Sequence, residues 1–175
     1  MFEDYLDDAY NLALAARAAG GERVARRYYR AAVFYTVSSI EAFLNFVGET
    51  LERGGKVASY EIAFLNDRKF GIIGDSFEVL DQMEFHRLEE KLRFLIKKHA
   101  KGYDLGAEPS WVRFIEFKRF RDTLVHPRKN EDEIAVRDYD EILRQGFNST
   151  IEIMDVLCKG IFNKGLRKKV AEMKL

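Results

Sequence analysis

The segment ERVARRYYRAAVFYTVSSIEAFLNFVGETLER, residues 22–53, decides the fold class. It contains no proline and one internal glycine, Gly48, so it predicts a single helix of roughly 48 Å that ends at Gly54 and Gly55. Apolar residues recur on more than one side, which is typical of a nearly fully buried helix with neighbours on several sides. One stripe consists of Val33, Val37, Ile40, Leu44, Val47 and Leu51, and another of Tyr28, Ala31, Tyr35 and Ala42. The basic first turns are expected to be the more exposed end.

Other parts of the chain also favour helices. Helical spacing predicts a first helix over residues 3–19, others over 85–100 and about 110–125, and a last long helix capped by Asp138. Ser110 is the predicted N-cap of the helix over 110–125. Pro127 is expected to end that helix, because the residue before a proline is pushed out of the helical conformation. The mixed pattern of residues 56–84 predicts one or two short helices with a loop near 70–75, and no strand.

The fold predicted from these segments is an all-α bundle of about five or six helices around one long central helix. No internal repeat, low-complexity segment or linker divides the chain, so residues 1–175 are expected to form one domain. We expect its core to span about residues 5–160, with a basic helix end over 159–175.

Composition limits the possible functions. Lys+Arg and Asp+Glu both number 29, so the formal net charge is zero and any anion-binding site must be local. Cys158 is the single cysteine, which fits a reducing compartment and predicts a cytoplasmic protein. The acidic N-terminus lacks the pattern of a signal peptide, and no stretch approaches 18 uncharged apolar residues, so no membrane span is expected.

The segment RFRDTLVHP, residues 119–127, carries the most chemical information. Arg121 and His126 are five residues apart, or about 140° around an ideal helix, and would not share a face. Because Pro127 forces the backbone out of the helix at this point, the His126 ring can swing towards a partner. An arginine that binds phosphate oxygens beside a histidine that moves protons is a workable pair for phosphate chemistry.

This segment resembles the Arg-x(4–6)-His signature of HEPN domains, including a polar residue, Asp122, directly after the arginine. HEPN domains also place polar residues on the long helix opposite the signature. Here Ser38, Glu41 and Asn45 lie on one helical face at spacings of three and four residues. The resemblance covers roughly residues 5–160.

The resemblance implies a homodimer in which two copies of the signature meet across a cleft. Active members are metal-independent endoribonucleases, so RNA is the expected substrate, with no cofactor and no metal site. Arg121 and His126 would be catalytic, and Asp122, Glu41, Asn45 and Ser38 would support them. A role in toxin or defence systems would add an antitoxin or another partner protein.

Local charge also favours anion binding near the signature. Between Arg113 and Lys129, six basic residues stand against two acidic ones, which gives a net charge of +4. The predicted RNA-binding residues are Lys118, Arg119, Arg128 and Lys129. The segment from Lys159 to Leu175 is basic as well and is a second possible RNA contact.

Two other interpretations remain open from the sequence. One is a non-catalytic helical dimer that binds a nucleotide, a nucleic acid or a partner protein. The other is a purely structural, monomeric bundle. In both cases Arg121 would pair with a carboxylate such as Glu41. We expect His86 and His99 to be ordinary helix-face residues and Cys158 to be a small buried hydrophobe.

Overall fold

A computed structural model of the protein describes residues 1–55, 57–126 and 135–175. These residues contain seven helices and one two-stranded hairpin, which confirms the predicted all-α bundle. The helices are α1 (Phe2–Arg17), α2 (Glu22–Gly54), α3 (Ser59–Leu65), α4 (Leu88–His99), α5 (Pro109–Val125), α6 (Val136–Phe162) and α7 (Lys168–Ala171). The strands are β1 (Arg68–Ile73) and β2 (Ser76–Met83).

The long helix α2 organises the bundle as predicted. It ends at Gly55, whose φ of +62° lies in the left-handed region that glycine adopts without steric cost. The first predicted stripe faces the core, and α1, α5 and α6 pack against it. The second stripe is only partly covered, so the expectation of a nearly fully buried helix is wrong. One face of α2, which includes Tyr28, Phe34, Glu41 and Asn45, is exposed.

The apolar interior consists of two clusters along α2. The larger joins the second half of α2 to α4, α5 and α6 around Phe43, Phe114 and Phe147. The smaller joins the first half of α2 to α1 and α6 and includes Phe117 of α5. A Cβ atom at Gly146 of α6 would lie 2.0 Å from the Phe117 ring, so this glycine lets α5 and α6 approach closely. The end of α5 is therefore fixed by core packing.

Residues 57–84, which lie within the segment predicted over 56–84, differ from the prediction. They form α3 followed by the antiparallel hairpin β1–β2, in which Ile73 pairs with Ser76 across a turn at Gly74 and Asp75. Gly74 has a φ of +60°, as required at the first central position of a type II′ turn. Phe70 and Phe77 stack across the strands with 5.5 Å between ring centroids. The hairpin stands away from the core, so its short strands lack a clear alternation between buried and exposed residues.

Two predicted helix starts and the C-terminal segment also need correction. The N-cap of α5 is Glu108 rather than Ser110, because Pro109 takes the first helical position that proline favours. The N-cap of α6 is Ala135, and Asp138 lies in its first turn. The core extends beyond residue 160, since Val170 of α7 is buried against the larger cluster. Cys158 is buried as predicted, and burial raises the pKa of its thiol to about 11.

The helix α2 also meets a simple criterion for membrane-crossing helices. Its length and apolar composition are sufficient, contrary to the expectation that no segment is apolar enough. However, 56% of its most apolar 18-residue stretch is buried inside the protein. A core helix shows the same property, so the criterion is weak evidence for a membrane span.

Candidate functional site

The end of α5 presents the two residues of the predicted signature. The helix ends at Val125, and His126 has left the helical conformation with φ −123° and ψ 66°. Its backbone N–H still donates to the Asp122 carbonyl at 3.1 Å, while its side chain is exposed. The expectation that His126 departs from the helix is therefore confirmed, and its imidazole can meet a molecule arriving from solvent.

Arg121 lies between two carboxylates. Its Nη2 donates to Oε1 of Glu41 at 3.2 Å, and its Nη1 lies 3.5 Å from Oδ1 of Asp122. The Arg121 side chain is 21% exposed, and its Nε is buried without a hydrogen-bond partner among the described residues. The structure thus brings Glu41 of α2 against Arg121 as predicted, although the two residues are 80 positions apart in the chain. The carboxylates orient the guanidinium and leave some of its five donors free.

Lys118 extends this polar cluster by one helical turn. Its Nζ lies 2.9 Å from Asp122 and 3.2 Å from Glu89 of α4. Burial alone would lower the pKa of Lys118, but these contacts outweigh burial and raise the pKa above its usual value. Asp122 therefore contacts both Lys118 and Arg121, and links the two cations on one side of α5.

The other predicted RNA-binding residues are distributed differently. Arg119 is exposed and forms no ion pair within the described part of the chain. Arg128 and Lys129 lie outside the described residues. Because Lys118 is paired with two carboxylates, the surface near the signature carries less free positive charge than the sequence count of +4 indicates.

A cleft of about 250 Å³ adjoins the Arg121–Glu41 pair. Glu41 and Asn45 of α2 form one side of this cleft, so Asn45 faces it as well. The complete lining is Glu41, Leu44, Asn45, Asp67, His86, Leu88 and Lys91. Ser38 lies on the same face of α2 and is half-buried, but it is not part of the lining.

Asp67 fixes the far wall of the cleft. Its backbone has a φ of +54°, a conformation that residues other than glycine adopt infrequently. One carboxylate oxygen accepts the backbone N–H of His86 at 2.9 Å, and the other lies 2.6 Å from Nζ of Lys91. Lys91 is buried, so this carboxylate compensates its charge. The hairpin brings Asp67 and His86 together although 19 positions separate them.

The prediction for His86 is wrong. His86 precedes α4 in an extended segment, its ring contacts Phe64 with 4.5 Å between centroids, and it lines the cleft. No local sequence signal marks this role, because it arises from chain reversal by the hairpin. His99 does lie on a helix, as the last residue of α4, where burial and then Lys98 lower its pKa.

Neither a metal cluster nor the C-terminal segment adds to this site. Within the described ranges, no group of three or more His, Cys, Asp or Glu residues is arranged to hold a metal ion. Two of the basic residues after residue 159 pair with carboxylates of α1, Arg167 with Glu3 at 3.2 Å and Lys169 with Asp7 at 2.7 Å. These contacts attach the segment to α1.

Comparison of the chain with protein-family models gives no match, and comparisons with curated proteins and solved structures give no significant match. The site is therefore interpreted from its own residues and geometry. The chemical possibilities are those of an oriented arginine, an exposed histidine and an adjoining polar cleft.

Proposed function

We propose that the protein is a HEPN-like, metal-independent endoribonuclease that acts as a homodimer. The observation that carries this proposal is Arg121, oriented by Glu41 and Asp122 in the last turns of α5, together with His126, which has left the helix and has an exposed side chain. A guanidinium with free donors suits the oxygens of a phosphodiester, and an accessible imidazole suits proton transfer.

The reaction is an internal transfer at phosphorus. His126 removes the proton of a ribose 2′-hydroxyl, and the 2′-oxygen attacks the adjacent phosphorus. The new oxygen–phosphorus bond forms as the bond to the 5′-oxygen of the next nucleotide breaks, which leaves a 2′,3′-cyclic phosphate and a 5′-hydroxyl. The 5′-oxygen takes its proton from the imidazolium of His126 in the second copy. Arg121 stabilises the negative charge that builds up on the phosphoryl oxygens.

The open face of α2 supports a dimeric arrangement. Tyr28 and Phe34 are exposed on this face. Three small residues of α2 are partly covered, namely Ala31, Ser38 and Ala42. Aromatic side chains around small ones suit close approach of a second helix. Since Glu41 belongs to the same face, a second copy packed here lies near the Arg121 site.

The test is cleavage of single-stranded RNA by the purified full-length protein in the presence of EDTA. We expect fragments with 2′,3′-cyclic phosphate and 5′-hydroxyl ends. Loss of a general acid or base lowers rates by about 10²- to 10⁴-fold, so His126→Ala should be slower by that factor. The effect of Arg121→Ala on cleavage is measured as well. Its matched control is Arg113→Ala, because Arg113 is exposed on the same helix two turns earlier.

Three results would contradict the proposal. One is the absence of cleavage of any RNA at high concentrations of the wild-type protein. Another is cleavage that persists unchanged in His126→Ala, since a contaminating nuclease would then be responsible. The third is sedimentation that shows a monomer at all concentrations, because the mechanism uses His126 of both copies.

A non-catalytic dimeric binding module is the second candidate. The observation that favours it is the pairing of Arg121 with two carboxylates, which reduces the positive charge available to a phosphate. In that case Arg121→Ala changes RNA or nucleotide binding, and no RNA turnover occurs with any variant.

A further inference from the structure

We propose that the cleft beside Arg121 is a nucleobase subsite that binds guanine, the base attached to the ribose whose 2′-hydroxyl attacks. This inference rests on the proposed ribonuclease function, because it identifies the part of the RNA that the same site recognises.

The size and walls of the cleft suit a planar ring system. Its volume of about 250 Å³ is slightly below the range of roughly 300–1,000 Å³ for drug-sized ligands. Leu44 and Leu88 supply apolar surface, and the His86 ring is held against Phe64 at the wall. Bases in single-stranded RNA are commonly bound by stacking on aromatic rings such as imidazole.

The polar groups of the cleft select among the four bases. The Glu41 carboxylate is an acceptor only, and the Lys91 ammonium is a donor only. Guanine offers two neighbouring N–H donors, N1 and N2, next to the acceptor O6. This edge matches a cleft lined by both a carboxylate and an ammonium, with the Asn45 amide able to donate or accept. Adenine, cytosine and uracil each lack a pair of adjacent donor groups on this edge.

Two of these groups are available to a ligand. Lys91 is buried and uses one of its three donors on Asp67, which leaves the others for an acceptor in the cleft. The Asn45 side chain has no hydrogen-bond partner within the described ranges. A buried ammonium with spare donors gains from an acceptor such as O6.

The position of the cleft connects base binding to the reaction site. Glu41 both lines the cleft and pairs with Arg121 at 3.2 Å. In the proposed complex, the 3′-phosphate of a nucleotide whose base occupies the cleft contacts Arg121. Binding of guanine also contacts the carboxylate that orients the guanidinium, which couples recognition of the base to alignment of the phosphate.

The experiment measures binding of guanosine 3′-monophosphate to the full-length protein by calorimetry, alongside the adenosine, cytidine and uridine analogues. Each lost hydrogen bond weakens binding by about three- to tenfold, so the guanosine ligand should bind at least this much more tightly than the others. Asn45→Ala should weaken guanosine binding by a similar factor. Glu49→Ala is the matched control, since Glu49 is exposed one turn later on α2 and outside the cleft.

His86→Ala provides a second variant. Stacking of a base on an aromatic ring changes affinity by about five- to a hundredfold, so this substitution should weaken binding of all four nucleotides. A thermal unfolding measurement on each variant establishes that the fold is retained.

The outcomes separate this inference from the proposed function. RNA cleavage without any preference among bases, together with equal binding of the four nucleotides, overturns the guanine subsite and leaves the ribonuclease proposal standing. Selective guanosine binding that depends on Asn45, without RNA cleavage, supports the subsite and rejects catalysis. Absence of measurable binding of all four nucleotides overturns the subsite as well.

Discussion

The end of α5 and the C-terminal segment after residue 159 are both rich in lysine and arginine, but the fold holds their cations differently. In the C-terminal segment Arg167 pairs with Glu3 at 3.2 Å, and its side chain is 81% exposed. On α5 Arg121 pairs with Glu41 at the same distance, and its side chain is 21% exposed. The two pairs share one distance, but Arg121 is the less exposed arginine and has a second carboxylate, Asp122, whereas its partner Glu41 is 49% exposed against 27% for Glu3.

This difference shows why a count of charges in the sequence does not locate a binding site. Exposed ion pairs are screened by water and contribute little, so the C-terminal cations serve mainly to attach a segment that is already anchored by buried Val170. A cation withdrawn from water depends on its partners for orientation and charge compensation. The α5 pair also adjoins a polar cleft.

The largest expected effect concerns the anchor of α5. Phe117 is 2% exposed and packs against Gly146, so Phe117→Ala should lower the free energy of unfolding by about 3–5 kcal/mol. Chemical denaturation measures this change. If core packing holds the α5 cations in place, the variant should also lose any activity or binding that depends on Arg121.

Phe85→Ala is the control for this substitution, because the Phe85 side chain is exposed on the segment after the hairpin. Its free energy of unfolding should stay within about 0.5 kcal/mol of the wild type. Similar stabilities of the two variants would mean that α5 is not anchored by Phe117, and the contrast with the C-terminal segment would lose its basis.

A smaller effect compares the two ion pairs directly. Glu41→Gln removes the charge that faces a partly buried guanidinium, and should lower the free energy of unfolding by about 1–2 kcal/mol. Glu3→Gln makes the same chemical change opposite the exposed Arg167, and should cost less than about 1 kcal/mol. Equal losses in denaturation experiments would show that burial of the arginine does not distinguish the pairs.

Several parts of the site could be predicted from the sequence. The end of α5 follows from Pro127, since proline restricts the preceding residue, and the structure ends the helix at Val125. The contact between Glu41 and Arg121 was expected from the resemblance to HEPN domains, whereas the apolar pattern alone places Glu41 and Asn45 on one face of α2 without identifying what they face. Only the end of α5 follows from a strong local signal, the proline.

The cleft could not be predicted in the same way. Its far wall depends on the hairpin, whose strands are short and exposed on both faces, with Ile72 67% exposed on one face and Ile73 53% exposed on the other. The alternation that marks a half-buried strand is therefore missing. The Gly74–Asp75 pair between residues typical of strands was the available signal for a two-residue hairpin turn. Without that hairpin, the approach of Asp67 and His86 has no sequence signature.

The smallest expected effect distinguishes the two basic segments as RNA contacts, and it rests on the proposed RNA binding. Each contact with a phosphate of a single strand contributes about 0.7 to the slope of log affinity against log salt concentration. Arg119→Ala should reduce the slope by about this amount, because Arg119 is exposed near the signature. Lys169→Ala should leave it unchanged, because Lys169 already pairs with Asp7 at 2.7 Å.

The measurement is RNA binding at several salt concentrations in a His126→Ala background, so that cleavage does not consume the ligand. The reverse result would be a lower slope for Lys169→Ala and an unchanged slope for Arg119→Ala. It would identify the C-terminal segment as the RNA contact. It would also mean that RNA displaces an exposed ion pair more readily than it approaches the cations of α5. Exposure of the cation, rather than its orientation beside a cleft, would then decide where a phosphate binds.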